Sequence, residues 1–193
     1  FHPRGEREVS RMDRSVGEIM TVGHSTRAPG ELERVLRAHA VEVLLDVRAH
    51  PGSRRMPHFG ADALERSLGR AGIAYVHLPE LGGRRRPAPA SENAGWRNES
   101  FRGYADHMAS EEFERGLTRA MGEATKRRAC LMCAEAPWWR CHRRLVADAL
   151  VARDWRVLHL AGEGKPSAHE MTDFAVVREG RVLYPPAQGT LDP

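Results

Sequence analysis

The sequence predicts an α/β protein, a three-layer sandwich around a mainly parallel, Rossmann-like sheet of about five strands. Two observations predict this fold. Short apolar runs alternate with amphipathic stretches along the chain, which is the pattern of β-strands joined by crossover helices. The run at residues 41–47 is also apolar enough to be buried on both faces, as the strands of a parallel sheet are. Helices are then expected to cover both faces of the sheet.

Each strand is followed by a stretch with helical periodicity. The predicted strands cover residues 18–24, 41–47, 73–78, 129–134 and 156–160. The predicted helices cover residues 31–39, 61–71, 101–108, 111–125 and a segment that opens at residue 141. Ser25 or Thr26 is expected to cap the first helix, because a side-chain oxygen can accept its free N–H groups. Gly72 is expected to end the second helix.

Three regions are expected along the chain. Residues 1–17 are polar and are interpreted as a disordered leader or a cloning remnant, and residues 18–161 as the α/β core. Residues 162–193 are expected to form an appendage, with a short helix near residues 168–173 and a β-hairpin over residues 175–184. The pair Glu179-Gly180 indicates the turn of that hairpin, because glycine is common in tight turns.

Composition limits the classes of protein to consider. Of the 193 residues, 41% are hydrophobic and 29% are charged, which suits one compact domain with a small appendage. No apolar run approaches the roughly 20 residues of a membrane span, so no membrane partner is expected. Three cysteines are too few for a disulfide scaffold and indicate reduced thiols in a cytoplasm. The net charge of +4 is compatible with an anionic partner.

Reactive side chains gather where the predicted strands end. Cys133 and Glu135 close the fourth strand, and Cys141 follows at the start of a helix. His24 and Asp46 end the first and second strands. Because α/β proteins bind ligands at the carboxyl ends of parallel strands, all five are expected to converge on one crevice. The free N–H groups at the start of a helix favour a thiolate, so Cys141 is expected to be the most reactive thiol.

The motifs at these positions resemble one known family as an ordered set. They are Thr21-Val22-Gly23-His24-Ser25, Asp46-Val47-Arg48 with Pro51-Gly52-Ser53-Arg54, Leu81-Gly82-Gly83, Tyr104-Ala105-Asp106-His107-Met108, Cys133-Ala134-Glu135 and Cys141-His142-Arg143. From about residue 19 to residue 161 the chain is similar to domain of unknown function family 488 (DUF488). The resemblance implies a small bacterial or archaeal cytosolic α/β protein. It implies positions for a site and no reaction.

The leading hypothesis is an enzyme that acts on an anionic planar substrate, such as a nucleotide or a nucleic-acid base. Its expected catalytic residues are Cys141, Glu135, His24, Cys133 and Asp46. Arginines would bind the anion, and tryptophans would stack on the planar group. The expected substrate-binding residues are Ser25, Arg48, Arg54, His77, Trp138, Trp139, His142 and Arg143. The sequence requires no cofactor for this function.

Two other functions stay open at this point. One is a metal-binding protein, in which Cys133, Cys141 and His142 would hold an ion such as zinc. The other is a nucleic-acid-binding module without catalysis. Trp96 and Phe101 favour base stacking, because they lie among arginines near the end of a long segment, residues 79–98, that is typical of a lid or binding loop.

Several of these residues also have structural interpretations. Asp46 and Arg48 could form a mutual salt bridge. His142 is expected to be a poor base for Cys141, because adjacent residues on a helix do not face each other. Cys130 is expected to lie in the core, since residues three apart on a strand point to opposite faces.

Overall fold

The computed structural model describes residues 17–187 and contains a six-stranded sheet. The strands are β1 (Glu18–Gly23), β2 (Val43–Asp46), β3 (Ala74–His77), β4 (Ala129–Cys133), β5 (Arg156–Leu160) and β6 (Ser167–Ala168). Their order is β3-β2-β4-β1-β5-β6. The first five strands run parallel, and β6 pairs antiparallel with β5. The predicted parallel sheet is confirmed, and one short antiparallel strand extends it.

Helices cover both faces of the sheet. Within residues 17–187 they are α1 (Glu31–Ala38), α2 (Ala61–Arg70), α3 (Glu99–His107), α4 (Glu111–Lys126) and α5 (Arg143–Val151). α1 and α2 pack on one face, in a core with Met20 and Leu44. α3, α4 and α5 pack on the other face, in a core with Ile19 and Leu45. The predicted three-layer α/β sandwich is therefore confirmed.

The start of α1 differs from the prediction. Gly30 is the N-cap residue, with a φ of +86° that suits glycine, so the expected cap at Ser25 or Thr26 is wrong. The physical reason is that Ser25 belongs to the edge of the sheet. Its N–H donates to the carbonyl of Ala134 at 2.9 Å.

The chain after β5 forms strands, and within residues 162–187 it forms no helix. The expected short helix near residues 168–173 is wrong, because Ala168 pairs with β5 and the N–H of His169 donates to Val157 O at 2.8 Å. The hairpin is confirmed as β7 (Val176–Arg178) and β8 (Arg181–Leu183). Glu179 and Gly180 have φ values of 51° and 75°, as a type I′ turn requires.

The long segment of residues 79–98 is fastened to the rest of the protein. The Asp106 carboxylate accepts the Ser91 hydroxyl at 2.6 Å and the Asn93 amide at 2.8 Å. Trp96 is buried and packs edge-on against Phe174, with ring centroids 4.8 Å apart. The interpretation of Trp96 as a base-stacking platform is therefore wrong, because the C-terminal segment covers its ring.

Three further expectations concern the limits of the domain. Apart from Gly17, the predicted leader at residues 1–17 lies outside the described residues. None of the helices between residues 17 and 187 has the length and apolar character needed to span a bilayer. Val182 and Tyr184 belong to the larger core cluster, so the C-terminal segment packs directly on the α/β core. The boundary at residue 161 stays a prediction.

The connections after β1 and β4, which are neighbours in the sheet, leave toward opposite faces. α1 follows β1 on one face, whereas α5 follows β4 on the other. This divergence opens a crevice at the carboxyl ends of the two strands, where open α/β sheets bind ligands.

Candidate active site

The carboxyl ends of β1 and β4 are joined beyond the strands themselves. The N–H of His24 donates to Cys133 O at 2.9 Å. A Cβ atom on Gly23 would lie 1.9 Å from the carbonyl oxygen of Glu135, so only glycine fits at this position. The glycine of the first motif thus allows the two strand ends to meet.

The predicted site residues form two groups at this edge, one on each face of the sheet. The Asp46 cluster, on the side of α1 and α2, consists of His24, Asp46, Arg48, Phe59 and Tyr75. The Cys141 cluster, on the side of α3 to α5, consists of Cys133, Glu135, Cys141, His142 and Arg143. Alternation along the strands separates them, because neighbouring strand residues point to opposite faces. The five expected catalytic residues therefore do not form a single group.

Asp46 and Arg48 form a buried ion pair. Nε and Nη2 of Arg48 donate to the two carboxylate oxygens at 2.9 and 2.6 Å. The Tyr75 hydroxyl donates to Oδ2 at 2.7 Å, and Arg48 Nη2 also donates to Phe59 O at 2.8 Å. Burial raises the pKa of Tyr75, and the hydrogen bond to Asp46 raises it further. This geometry matches the structural interpretation of the pair.

His24 is held in its neutral form. Its Nδ1–H donates to Ser25 O at 2.8 Å, so Nε2 is the acceptor and receives Arg48 Nη1 at 3.3 Å. Burial lowers the pKa of His24, and the charge of Arg48 lowers it further, against the effect of the Ser25 carbonyl. Both ring nitrogens are thus engaged by the protein itself.

Cys141 lies between a 3₁₀ turn, Trp138–Arg140, and the start of α5. Its backbone is extended, with φ −123° and ψ 152°, and the N-cap residue of the helix is His142. The N–H of Arg143 donates to the Cys141 sulfur at 3.5 Å, in the way that a capping side chain accepts a free helix N–H. The helix start therefore favours a thiolate, although Cys141 precedes the helix and does not open it.

His142 contacts the Cys141 thiol, so the expectation that the two side chains would not face each other is wrong. Its Nδ1 lies 3.6 Å from Cys141 Sγ, and its Nε2 donates to Val47 O at 3.2 Å. The Val47 carbonyl thereby fixes the tautomer in which Nδ1 can take a proton. The sequence argument fails because both residues lie before the first helical residue, where helical spacing does not separate them.

The three cysteines have different electrostatic environments. Burial alone raises the pKa of Cys141. The adjacent Cys133 thiol and His142 outweigh burial, and with the charge of Arg143 they hold this pKa well below its ordinary value. Burial raises the pKa of Cys133 far above its ordinary value, and the neighbouring Cys141 raises it further. Cys130 is fully buried on the other face, as predicted, and burial raises its pKa.

The Glu135 carboxyl group is exposed and makes no ion pair or hydrogen bond with the described residues 17–187. Partial burial raises its pKa, and the charge of Cys141 raises it further. The backbone carbonyl of Glu135, and not its side chain, binds Nη2 of Arg143. Glu135 is therefore a free carboxyl group at the surface, beside the reactive thiol.

The two predicted tryptophans differ in what they offer to a ligand. Trp138 is stacked on His159, with centroids 4.2 Å apart and an interplanar angle of 5°, so one face of its ring is occupied. Trp139 packs edge-on against Trp138 and is 52% exposed. Trp138 is half-buried, so Trp139 is the more exposed of the pair.

Three other predicted binding residues differ in their surroundings. His77 donates from Nε2 to Arg48 O at 2.8 Å and so holds the chain after β2. Ser25 adopts a φ of 51°, which is uncommon for a residue with a side chain and concentrates at functional sites. Arg54 is exposed on the loop after β2, and within residues 17–187 it has no hydrogen bond or ion pair with either cluster.

One known family matches the chain. The family described as "Domain of unknown function DUF488" matches residues 30–150, which is more than half of the 193 residues. The chain belongs to the DUF488 family. No curated protein and no solved structure matches it. The family description assigns no reaction.

The two glycines of the motif at residues 81–83 pack closely against other parts of the protein, and Gly83 lies against His142. A Cβ atom on Gly83 would lie 2.9 Å from His142 Nδ1. A Cβ atom on Gly82 would lie 2.8 Å from the Cβ of Ala49. A side chain at residue 83 would displace the His142 imidazole from its present position, so Gly83 allows the contact between His142 and Cys141.

Sequence reasoning missed a line of buried polar groups in this DUF488 protein. Successive hydrogen bonds of 2.7 to 2.9 Å join Thr21, His159, His169, Asp148 and Tyr184. All five are buried. One signal was available: Asp148 interrupts the otherwise apolar run of α5, and a buried carboxylate requires partners.

The geometry bears on the metal alternative as well. Within residues 17–187, no group of three or more His, Cys, Asp and Glu side chains is arranged to hold a metal ion. His142 directs Nδ1 to the Cys141 thiol and Nε2 to the Val47 carbonyl. This arrangement suits a thiolate–imidazole pair.

Proposed function

We propose that this DUF488 protein is an enzyme that uses the Cys141 thiolate as a nucleophile on an anionic planar substrate, such as a nucleotide or a nucleic-acid base. One observation carries the proposal: Cys141 Sγ lies against His142 Nδ1, while Val47 O fixes His142 Nε2. A nucleophile, a base and a third group that orients the base make up the geometry of covalent catalysis.

In the proposed step, the thiol proton passes to His142 Nδ1 and the Cys141 sulfur attacks an electrophilic centre of the substrate. The bond to the leaving group breaks, and the leaving group takes a proton from Glu135. The raised pKa of Glu135 increases the protonated fraction that can act as this acid. Water or a second acceptor then attacks the transferred group and gives its proton to the Glu135 carboxylate, and the bond to sulfur breaks with release of the Cys141 thiolate.

Charge and shape support the substrate class. Trp139 offers an open aromatic ring on the turn next to Cys141, and Arg140 is exposed on the same turn. Stacking and a guanidinium suit a planar group that carries negative charge. The net charge of +4 acts in the same direction. The three free thiols support a location in the reducing cytoplasm.

Two reagents of similar shape and different charge test the nucleophile. Iodoacetamide and the anionic iodoacetate are both expected to label Cys141 before the other cysteines, at near-neutral pH. At low salt, iodoacetate should react faster with Cys141 than with a free thiol in solution, and high salt should remove this acceleration. Peptide mass spectrometry identifies the labelled residue. Cys141→Ser should remove the fast labelling, and Cys130→Ser should leave it intact; fast labelling elsewhere would refute the proposal.

The substrate class needs a separate measurement. Intact-protein mass spectrometry after incubation with a panel of nucleotides should reveal an adduct that Cys141→Ser lacks. Salt-dependent oligonucleotide binding that survives both Cys141→Ser and Glu135→Gln, without any adduct, would favour the non-catalytic module instead. Stoichiometric zinc in the purified protein would favour the metal-binding alternative.

A further inference from the structure

The line of buried polar groups connects the C-terminal segment to the Cys141 cluster. We call it the buried polar chain; it consists of Tyr184, Asp148, His169, His159 and Thr21. Tyr184 Oη and His169 Nε2 lie 2.7 and 2.8 Å from the two carboxylate oxygens of Asp148. His169 Nδ1 lies 2.9 Å from His159 Nε2, and His159 Nδ1 lies 2.7 Å from Thr21 Oγ1.

Asp148 sets the direction of each hydrogen bond in the chain. A carboxylate only accepts, so Nε2 of His169 must donate to it. Nδ1 of a neutral His169 must then accept from His159 Nε2, and His159 Nδ1 must accept the Thr21 hydroxyl proton. Burial lowers the pKa of His159 to about 3, and the charge of Arg143 acts in the same direction. His159 is therefore neutral at ordinary pH, as this order requires.

The buried polar chain ends at the guanidinium of Arg143, in the Cys141 cluster. Because the Thr21 hydroxyl donates its hydrogen bond to His159, its oxygen can accept a hydrogen bond from Arg143 Nη1, at 3.3 Å. Nη2 of Arg143 donates at the same time to the carbonyls of Glu135 and Ala136. The guanidinium is held from two sides and lies where its charge stabilises the Cys141 thiolate.

We propose that Thr21, His159, His169 and Asp148 are positioning residues, which orient Arg143 and so keep the Cys141 thiol ionised. The inference rests on the proposed function only in its use of a thiolate. It also assigns a role to the C-terminal segment, since His169 lies directly after β6. A purely structural chain would stabilise the fold without changing the ionisation of Cys141.

The ionisation of Cys141 can be measured directly on the full chain. Ultraviolet absorption of the thiolate is followed against pH, and the difference from Cys141→Ser isolates this residue. Thr21→Val removes the hydroxyl and keeps the shape, so the midpoint should rise by about one pH unit. Thr21→Ser should return the midpoint to the wild-type value. His159→Phe keeps a ring against Trp138, changes no charge, and should raise the midpoint by less.

A matched control comes from the opposite face of the sheet. Tyr75→Phe also removes one hydrogen-bonding hydroxyl, from a half-buried tyrosine that donates to Asp46, and it should leave the Cys141 midpoint unchanged. An unaltered Cys141 midpoint in folded Thr21→Val would overturn the inference. If Thr21→Val does not fold, an unaltered midpoint in folded His159→Phe would do the same. The inference would also fail if the midpoint of Thr21→Ser did not return to the wild-type value. A wild-type titration that Cys141→Ser leaves unaffected would refute the proposed nucleophile, so the two failures are distinguishable.

Discussion

The Asp46 cluster and the Cys141 cluster occupy the same edge of one sheet and differ in how completely their polar groups are paired. The Asp46 carboxylate accepts from both Arg48 and Tyr75. In the Cys141 cluster, Arg143 Nε is buried without a partner among residues 17–187, and the Glu135 carboxyl group is free. Buried polar groups are normally paired, and the exceptions call for a functional explanation. The comparison therefore favours a structural role for one cluster and chemistry for the other.

Two residues of the clusters show that burial alone does not decide charge. His24 and Cys141 are each 3% exposed. Burial lowers the pKa of His24 and keeps the imidazole neutral. Burial opposes the Cys141 thiolate too, but the neighbouring donors and the Arg143 charge outweigh it. The difference lies in what surrounds each group: His24 faces a cation, which disfavours its own positive charge, and Cys141 faces a cation that favours its negative charge.

The largest expected effect separates the clusters by stability. Asp46→Asn replaces an acceptor by an amide N–H that faces the donors of Arg48 and Tyr75, and it leaves a buried guanidinium without its counter-charge. The free energy of unfolding should fall by about 3–5 kcal/mol, as measured by urea denaturation. Glu163→Gln, which removes an exposed partner of Arg34, should change it by less than about 1 kcal/mol. A small effect of Asp46→Asn would contradict the structural role.

The next prediction concerns the base of the Cys141 cluster. Gly83→Ala places a Cβ atom 2.9 Å from His142 Nδ1, so the imidazole must shift from its position against the thiol. The rate of Cys141 alkylation at neutral pH should fall by about tenfold, the effect of one pH unit in thiolate stability. Gly69→Ala is the matched control, because nothing lies within 4 Å of the added Cβ atom. Equal rates in both variants would remove His142 from the mechanism.

The fold and the edge that carries the site could be predicted from sequence, and the division into two clusters could not. Apolar runs predict the strands because a strand of a parallel sheet is buried on both faces. Polar residues at the ends of these runs predict the edge of the sheet that carries the site. Which strand ends share a face depends on register, such as Gly23 opposite Cys133, and register is a property of the assembled sheet. The Thr21–His159 contact joins residues 138 positions apart, and local periodicity carries no information about it.

Acid stability provides the third prediction, on the side of the Cys141 cluster. The pKa of His159 is about 3 in the folded protein, against a usual value of 6.5, so below pH 6.5 the unfolded chain binds a proton that the folded chain does not. The free energy of unfolding should therefore fall as the pH drops from about 6.5 toward 3. His159→Phe should flatten this decline by on the order of 4 kcal/mol across that range. Thermal unfolding at a series of pH values measures it, and an equally steep decline in the variant would contradict the assignment.

The smallest expected effect on stability belongs to Glu135. The pKa of Glu135 is raised by partial burial and by the Cys141 charge, so its ionised form is disfavoured in the folded protein. Above its unfolded pKa this group opposes folding, and Glu135→Gln should keep the free energy of unfolding within about 0.5 kcal/mol of the wild-type value or raise it slightly.

The same Glu135→Gln variant should abolish transfer of a group to Cys141, while the thiol itself still reacts with iodoacetamide. Asp46→Asn is the opposite case, with lost stability and an intact Cys141 titration in whatever protein remains folded. A melting temperature lowered by many degrees in Glu135→Gln, with adduct formation intact, would make Glu135 a structural residue and would remove the acid from the proposed reaction.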